Sequence, residues 1–274
     1  MGRHLNLTLR LLSLALACLA GLSVAVGCGG GEPRPRPAPK NDPTVASPKQ
    51  QMEGHINLGR ILLMQNDLPG ALSELSKAEQ IDPNNMDVLT YLGLTYYSRQ
   101  DYEKAIDYYV RALAQDPTKT DIHNNLGLVY MELKQFPEAK REFEYCLTDT
   151  TYARPWLPQL NLGAIEQIQG NLKEAEEIYR KIVTLTPQYA PPYYRLAQII
   201  FGRGETREAI DYLKNAVRLD PSYADAYFLL GEAYEKIGNK DEAAESYGQV
   251  VVLSPNTTRA IEAQRRARRV LGFE

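Results

Sequence analysis

The sequence predicts an all-α solenoid, and three observations lead to this fold class: a constant repeat length, paired helical stripes within each repeat, and proline turns between repeats. A Leu-Gly or Leu-Ala pair recurs at steps of 34, 34, 36, 34 and 34 residues, and an alanine stands twelve residues after the second member of each pair. A fixed period of this length is typical of structural repeats that stack on one another. The pairs begin at Leu58, Leu92, Leu126, Leu162, Leu196 and Leu230.

Each repeat contains two stretches with apolar residues at helical spacing. In the second repeat, Leu92 and Tyr96 mark the first stripe, and Ala105, Tyr109 and Leu113 mark the second. Spacings of three and four residues place these side chains on one face of a helix. The small residue of each pair lets the two helices approach closely, and aromatic side chains fill the remaining space. This arrangement accounts for a composition with 18 Tyr against 5 Phe and 1 Trp.

Proline-containing steps mark the ends of the repeats, as at Asp82-Pro83 and Ser254-Pro255. Proline disfavours a helical conformation in the residue before it, so these steps indicate turns. A basic helix over residues 258–274 follows the last repeat and is expected to cap its apolar face. The predicted repeats span residues 52–85, 86–119, 120–153, 156–189, 190–223 and 224–257.

The pattern L-G-x2-Y…A-x3-F…P resembles the tetratricopeptide repeat. The resemblance implies a right-handed solenoid of helix-turn-helix units, in which the first helix of each unit lines a concave surface. The match is fullest in the second repeat, at Leu92, Gly93, Tyr96, Ala105, Tyr109, Ala112 and Pro117.

The inward positions of the first helices are predicted to form an apolar groove that binds an amphipathic helix or an extended segment of a protein partner. Glu232 and Glu235 would make its C-terminal end acidic. A competing interpretation places several of the groove side chains in the core between repeats. The predicted groove residues are Ile56, Leu63, Leu94, Tyr97, Leu128, Met131, Leu160, Tyr194, Phe201 and Phe228.

The first 27 residues have the pattern of a secretory signal peptide: a basic start, an apolar run over residues 11–26, and small residues at its end. The A-V-G-C run at 25–28 resembles the lipobox of bacterial lipoproteins. That resemblance implies cleavage before Cys28 and acylation of its thiol. Cys18 also fits a loose lipobox, but cleavage there would leave an apolar mature terminus.

Residues 28–50 are expected to form an extended, proline-rich tether. Acyl chains on Cys28 would hold this tether in a membrane. Gly29 follows Cys28, where an aspartate would resemble an inner-membrane retention signal. We therefore expect a lipid-anchored protein of the outer membrane that faces the periplasm.

The composition excludes several classes of function. A formal net charge of −3 gives no basic surface for nucleic acid, and 3 Cys with 3 His cannot build a disulfide framework or a Cys/His zinc site. We expect a buried thiol at Cys146 and packing roles for His55 and His123. No catalytic residue, metal, cofactor or small-molecule substrate is expected. The arginines of the last helix either belong to a soluble cap or contact anionic lipid or an acidic partner.

The arrangement as a whole resembles the type IV pilus biogenesis and stability lipoproteins, the PilF/PilW/Tgl pilotins. The likeness is carried by the stretches at 124–127 and 137–139, and by those at 143–147 and 161–163 with Tyr152 and Pro155 between them; residues 154 and 155 are an insertion. The resemblance implies a lipoprotein that helps the pilus secretin to reach, enter or multimerise in the outer membrane. A scaffold for cell-wall synthesis, division or outer-membrane protein assembly is the alternative, and an enzyme or its regulatory subunit is the third possibility.

Overall fold

A computed structural model describes residues 46–273, and these residues form thirteen helices and no strand. The predicted all-α solenoid is therefore confirmed. Consecutive helices pair as helix-turn-helix units, and each unit packs on the next along the chain. The helices are α1 (Pro48–Met64), α2 (Leu68–Ile81), α3 (Met86–Ser98), α4 (Tyr102–Gln115), α5 (Thr120–Glu132), α6 (Phe136–Thr148), α7 (Trp156–Ile168), α8 (Leu172–Leu185), α9 (Ala190–Gly202), α10 (Thr206–Leu219), α11 (Ala224–Ile237), α12 (Lys240–Leu253) and α13 (Thr258–Leu271).

Helix α1 begins at Pro48, so the prediction that the tether extends to residue 50 is wrong. The Ser47 hydroxyl accepts a hydrogen bond from the backbone N–H of Gln50, and the Gln50 side chain accepts one from the backbone N–H of Ser47. These reciprocal bonds form a capping box that starts the helix. A proline at the first helical position needs no N–H partner, and its fixed φ suits a helix. Pro48 therefore begins a helix rather than extending the tether.

The turn inside each unit has the same backbone geometry. One residue per turn has φ between +58° and +89°, in the left-handed region. Glycine adopts this conformation without strain, whereas other residues pay a steric cost. The first three units use non-glycine residues at this position, and the last three use glycine. The residues are Asn66, Gln100, Lys134, Gly170, Gly204 and Gly238.

The core of each unit is built on one close contact between its two helices. In five units the glycine of the Leu-Gly pair lies directly against the side chain sixteen residues later. A Cβ added to Gly93 would lie 2.7 Å from the Tyr109 ring, and one added to Gly231 would lie 2.6 Å from the Tyr247 ring. Such distances are far inside van der Waals contact, so a larger residue would separate the helices. The buried partners of the five glycines are Leu75, Tyr109, Phe143, Tyr179 and Tyr247.

In two units the hydroxyl of the buried tyrosine bonds to a residue twelve positions earlier, at the end of the first helix. Tyr179 donates to the Gln167 side chain at 3.1 Å, and Tyr247 donates to the Glu235 carboxylate at 2.7 Å. The hydroxyl of Tyr109 has no hydrogen-bond partner among residues 46–273. The residue twelve positions earlier is here Tyr97. Burial raises the pKa of Tyr109 and also raises that of Tyr179, to about 12.

We predict opposite effects of removing the hydroxyl in two equivalent tyrosines. Tyr109→Phe should leave the free energy of unfolding unchanged or raise it by up to about 1 kcal/mol, because it deletes a buried group without a partner. Tyr247→Phe should lower it by about 1–3 kcal/mol, because it leaves the buried side of the Glu235 carboxylate without this donor. Urea denaturation of both variants measures the difference. Equal destabilisation would show that the two hydroxyls have equivalent surroundings.

Candidate partner-binding groove

The structure places nine of the ten predicted groove residues at half-buried positions on the first helices of the units. Their side chains are neither fully exposed nor inside the core. Seven pack with one side against the core: Ile56, Tyr97, Leu128, Met131, Leu160, Tyr194 and Phe201. Leu63 and Leu94 are also half-buried and lie outside these core clusters. The groove is thus lined by the outer edges of core side chains, which leaves apolar surface accessible to a partner.

The tenth residue, Phe228, belongs to the core, so its assignment to the groove is wrong. Its side chain is only 4% exposed. The ring packs edge-on against Tyr247 with a centroid separation of 5.6 Å. Two guanidinium groups of α13, those of Arg259 and Arg266, lie 4.5 and 5.4 Å from the ring centroid. The helix after the last repeat therefore covers the position that would otherwise continue the groove.

The C-terminal end of the groove also differs from the expected acidic surface. Arg266 lies 3.0 Å from Glu232, and Arg269 lies 2.6 Å from Glu235. A third arginine of α13, Arg259, lies 3.5 Å from Asp225. Burial tends to raise the pKa of Glu235, but hydrogen bonds from Tyr247 and Arg269 outweigh it and lower the pKa. The carboxylates of α11 are thus neutralised within the chain, and the apolar part of the groove carries the binding surface.

The insertion between the third and fourth units lies at the edge of the groove. Tyr152 donates a hydrogen bond to Asp121 at 3.0 Å, and Arg154 contacts the same carboxylate at 2.9 Å. The Thr120 hydroxyl donates to Asp149 at 2.6 Å, which fixes the start of the insertion against α5. Burial and the bond to Asp121 raise the pKa of Tyr152 to about 12. The longer turn is therefore held in one conformation by several polar contacts.

An open cleft of about 370 Å³ connects this insertion with the apolar groove. Leu94 and Leu157 supply apolar surface, and Asn124 and Asn125 supply amide groups. Tyr152 and Arg154 form its outer wall together with Asp87 and Asp121. The sequence pattern identified the apolar residues but not this polar wall, because the contact between the insertion and Asp121 joins residues more than 30 positions apart. In the sequence, the extra length of the third repeat was the only sign of this polar wall.

The two histidines of the solenoid pair with carboxylates at equivalent places. His55 Nδ1 lies 2.7 Å from Glu74 Oε2, and His123 Nδ1 lies 2.6 Å from Glu142 Oε2. Each pair joins the first helix of a unit to its second helix. Cys146 is fully buried, and burial raises the pKa of its thiol to about 12. A thiol in this environment is protonated at neutral pH and is a poor nucleophile.

Residues 46–273 contain neither a metal-binding cluster nor a helix suited to crossing a membrane. No three His, Cys, Asp or Glu side chains within residues 46–273 come together as a group that could hold a metal ion. Among the helices of the same residues, none combines the length and apolarity that a membrane crossing requires. The predicted acylation site, Cys28, and the rest of the signal peptide and tether up to residue 45 lie outside the described residues.

Solved structures with the same fold include three tetratricopeptide-repeat proteins. Pseudomonas aeruginosa PilF is 23% identical, with a TM-score of 0.64 over 80% of this chain and 98% of its own. PilW, a widely conserved type IV pilus biogenesis factor, is 24% identical, with a TM-score of 0.66 over 78% of this chain and 98% of its own. A protein from Parabacteroides merdae is 22% identical, with a TM-score of 0.66 over 79% of this chain and 84% of its own. At these identities the likeness establishes the fold.

Comparison with family models identifies the repeats directly. No curated protein sequence matches the chain significantly. Models described as TPR repeat or tetratricopeptide repeat match residues 59–98, 93–134, 159–189 and 194–256, which together make up more than half of the chain. The matched segments include helices of all six units, and the solved structures share their arrangement. The chain therefore belongs to the tetratricopeptide-repeat family.

Proposed function

We propose that this protein is a lipid-anchored scaffold that assists assembly of the type IV pilus secretin in the outer membrane. The single observation that carries the proposal is the match to PilF and PilW, since the solenoid covers 98% of each of those chains. The lipobox at Cys28 and the insertion beside the groove are consistent with the same family of lipoproteins. In this proposal Cys28 anchors the chain, and the solenoid binds its partner on the periplasmic side.

The groove supplies binding through burial of apolar surface. Leu94 and Leu128 stand at equivalent places on α3 and α5, and Leu160 lies on α7 one helical turn before the equivalent position, so a bound segment would cross several first helices. When a partner covers these leucines, apolar area is removed from water, which favours binding by about 25 cal/mol per Å². An amphipathic helix or extended segment with regularly spaced apolar residues fits this surface. A secretin subunit with such a segment would be shielded from aggregation until it joins the multimer.

The insertion gives the groove a polar edge that limits which segments bind. The Asn125 amide lies beside Leu94 in the cleft and is able to pair with the backbone of a bound segment, whereas the buried Asn124 amide accepts a hydrogen bond from Asn161. Because Tyr152 and Arg154 both bond to Asp121, the wall keeps its shape without a partner. A preorganised wall reduces the entropy lost on binding. The apolar floor thus supplies affinity, and the polar edge supplies orientation.

Charge placed on the groove floor should weaken partner binding. We expect Leu94→Glu with Leu128→Glu to reduce the affinity for the secretin by about tenfold or more, equivalent to ~1.4 kcal/mol, because carboxylates would be desolvated in the complex. The matched control is Val110→Glu with Leu185→Glu, which places the same charges on exposed positions of second helices. Titration with purified secretin measures affinity, and circular dichroism checks helicity. Unchanged affinity would exclude the groove, and lost helicity would assign both leucines to the core.

Lipidation at Cys28 should hold the protein in the membrane. Cys28→Ala is expected to move the protein from the membrane fraction to the soluble fraction or to block its processing, because acyl chains supply about 0.8 kcal/mol per buried methylene. Metabolic labelling with a fatty-acid probe measures acylation directly, and Cys18→Ala serves as the control. Persistent labelling of Cys28→Ala with loss in Cys18→Ala would place the acyl site at Cys18.

The secretin multimer provides the functional test. In a strain that lacks this protein, we expect monomeric secretin to persist while the heat- and detergent-resistant multimer disappears from the outer membrane. Immunoblots of unboiled membrane fractions measure both forms. Restoration by the wild-type gene, but not by the Leu94→Glu, Leu128→Glu variant, would connect the groove with assembly. An undisturbed multimer would contradict the proposal and favour a scaffold for cell-wall synthesis, division or outer-membrane protein assembly.

A further inference from the structure

Helix α13 occupies the place of the first helix of a seventh unit. Its residues Thr258–Leu271 correspond, at a shift of 34, to Ala224–Ile237 of α11, and both helices have 14 residues. Inside the solenoid, each first helix is covered by the second helix of its own unit. Among residues 46–273, no second helix packs on α13 in this way. Side chains on one of its faces, among them Ile261 and Arg265, are exposed within these residues.

The repeat register identifies the residues of this open face. On α11, Tyr227, Gly231 and Tyr234 face α12: the glycine lies against Tyr247, and the two tyrosines line a depression with residues of α12. The residues 34 positions later on α13 are Ile261, Arg265 and Arg268, one apolar and two basic. We call this set, with two residues at the helix end, the C-terminal face: Ile261, Arg265, Arg268, Leu271 and Phe273.

The C-terminal face is closed to a further helix of the repeat type. Five units have glycine at the position of Arg265, and the fifth unit has Ala197. Even a Cβ at Gly231 would lie 2.6 Å from the ring of its second helix. A full arginine side chain at this position prevents the same close packing. A partner that covers this face must therefore be deformable or must leave room for two arginines.

The charges of α13 divide between two sides of the helix. Arg259, Arg266 and Arg269 form ion pairs with carboxylates of α11. Arg265 and Arg268 are exposed, and neither has an ion-pair partner among residues 46–273. The first three arginines secure the cap. The other two are additional charges that the packing of the solenoid does not require.

Exposed apolar side chains surround these two arginines. Ile261 is 65% exposed, Leu271 is 43% exposed and Phe273 is 73% exposed. Transfer of such an exposed aromatic ring out of water lowers the free energy of the system. Arginine adjusts to such a surface because its aliphatic stem covers apolar groups while its guanidinium reaches polar ones. Apolar side chains next to cationic ones are typical of helices that lie in a membrane interface.

We propose that the C-terminal face docks on an anionic lipid surface. Arg265 and Arg268 bind lipid phosphates, each contributing about 1 kcal/mol near such a surface. Ile261, Leu271 and Phe273 enter the boundary between headgroups and acyl chains. The proposal rests on the lipid anchor proposed above, because the anchor supplies the high local concentration that this small face needs. The solenoid then touches the membrane at a second place and has a restricted orientation.

The test uses the full chain isolated from membranes and reconstituted in vesicles with brominated acyl chains, which quench tryptophan on contact. Trp156→Phe removes the native indole, and Phe273→Trp places one on the C-terminal face. Leu185→Trp is the matched control, since Leu185 is similarly exposed and lies on α8. In vesicles rich in phosphatidylglycerol we expect strong quenching at position 273 and little at position 185.

Charge reversal separates lipid docking from the anchor. Arg265→Glu with Arg268→Glu should abolish the quenching at position 273, whereas Arg207→Glu with Arg218→Glu, an equal change at exposed sites of α10, should preserve it. Replacement of phosphatidylglycerol by phosphatidylcholine should also weaken the quenching.

Failure of all variants to associate with vesicles would refute the proposed lipid anchor and not the docking of the C-terminal face. Association without quenching at position 273 would overturn lipid docking. If the C-terminal face is shielded from water in cell envelopes but not in protein-free vesicles, it binds a protein partner. This result would also overturn lipid docking.

Discussion

The close contact between a glycine of the first helix and a large side chain of the second is the constraint on which the solenoid depends. It sets the distance between paired helices, because even a single methyl group on Gly93 or Gly231 would collide with the opposing ring. Once this distance is fixed, the same turn geometry serves all six units. Repeated pairs then stack on one another, and the half-buried edges of their first helices form one continuous surface. The groove is therefore a consequence of the core.

The core and the groove share residues, which limits how freely the binding surface is able to vary. Position 97, twelve residues before Tyr109, holds a predicted groove residue that packs against the core cluster of Tyr109. Glutamine or glutamate at the equivalent places of the fourth and sixth units satisfies that hydroxyl. Tyr97 makes the groove more apolar, and within the described part of the chain the Tyr109 hydroxyl is left without a partner. The apolar N-terminal part of the groove is thus obtained at a small cost in stability, as expected of a surface shaped by binding.

The two ends of the solenoid are closed in different ways, and both bear on function. A capping box at Ser47 starts α1 within the last residues of the predicted tether. Helix α13 covers Phe228 and neutralises α11 with three arginines, while Arg265 and Arg268 remain exposed on its open side. In the proposed arrangement the anchor holds the protein at the outer membrane and the C-terminal face orients it. The groove then faces a secretin segment at a restricted distance from the bilayer.

The sequence alone determined the period, the helix pairs and the close contact between them, because these depend on residues at fixed spacing within one unit. It also identified nine residues of the first helices that the structure shows to be half-buried, since their helical register follows from the same period. Only the tertiary structure showed that Phe228 is buried, that Glu232 and Glu235 are paired, and that the insertion is bonded to Asp121. Each of these facts joins residues of different units or of the terminal helix. A periodic pattern specifies which face of a helix is inward, but contacts that break the period depend on how neighbouring elements pack in space.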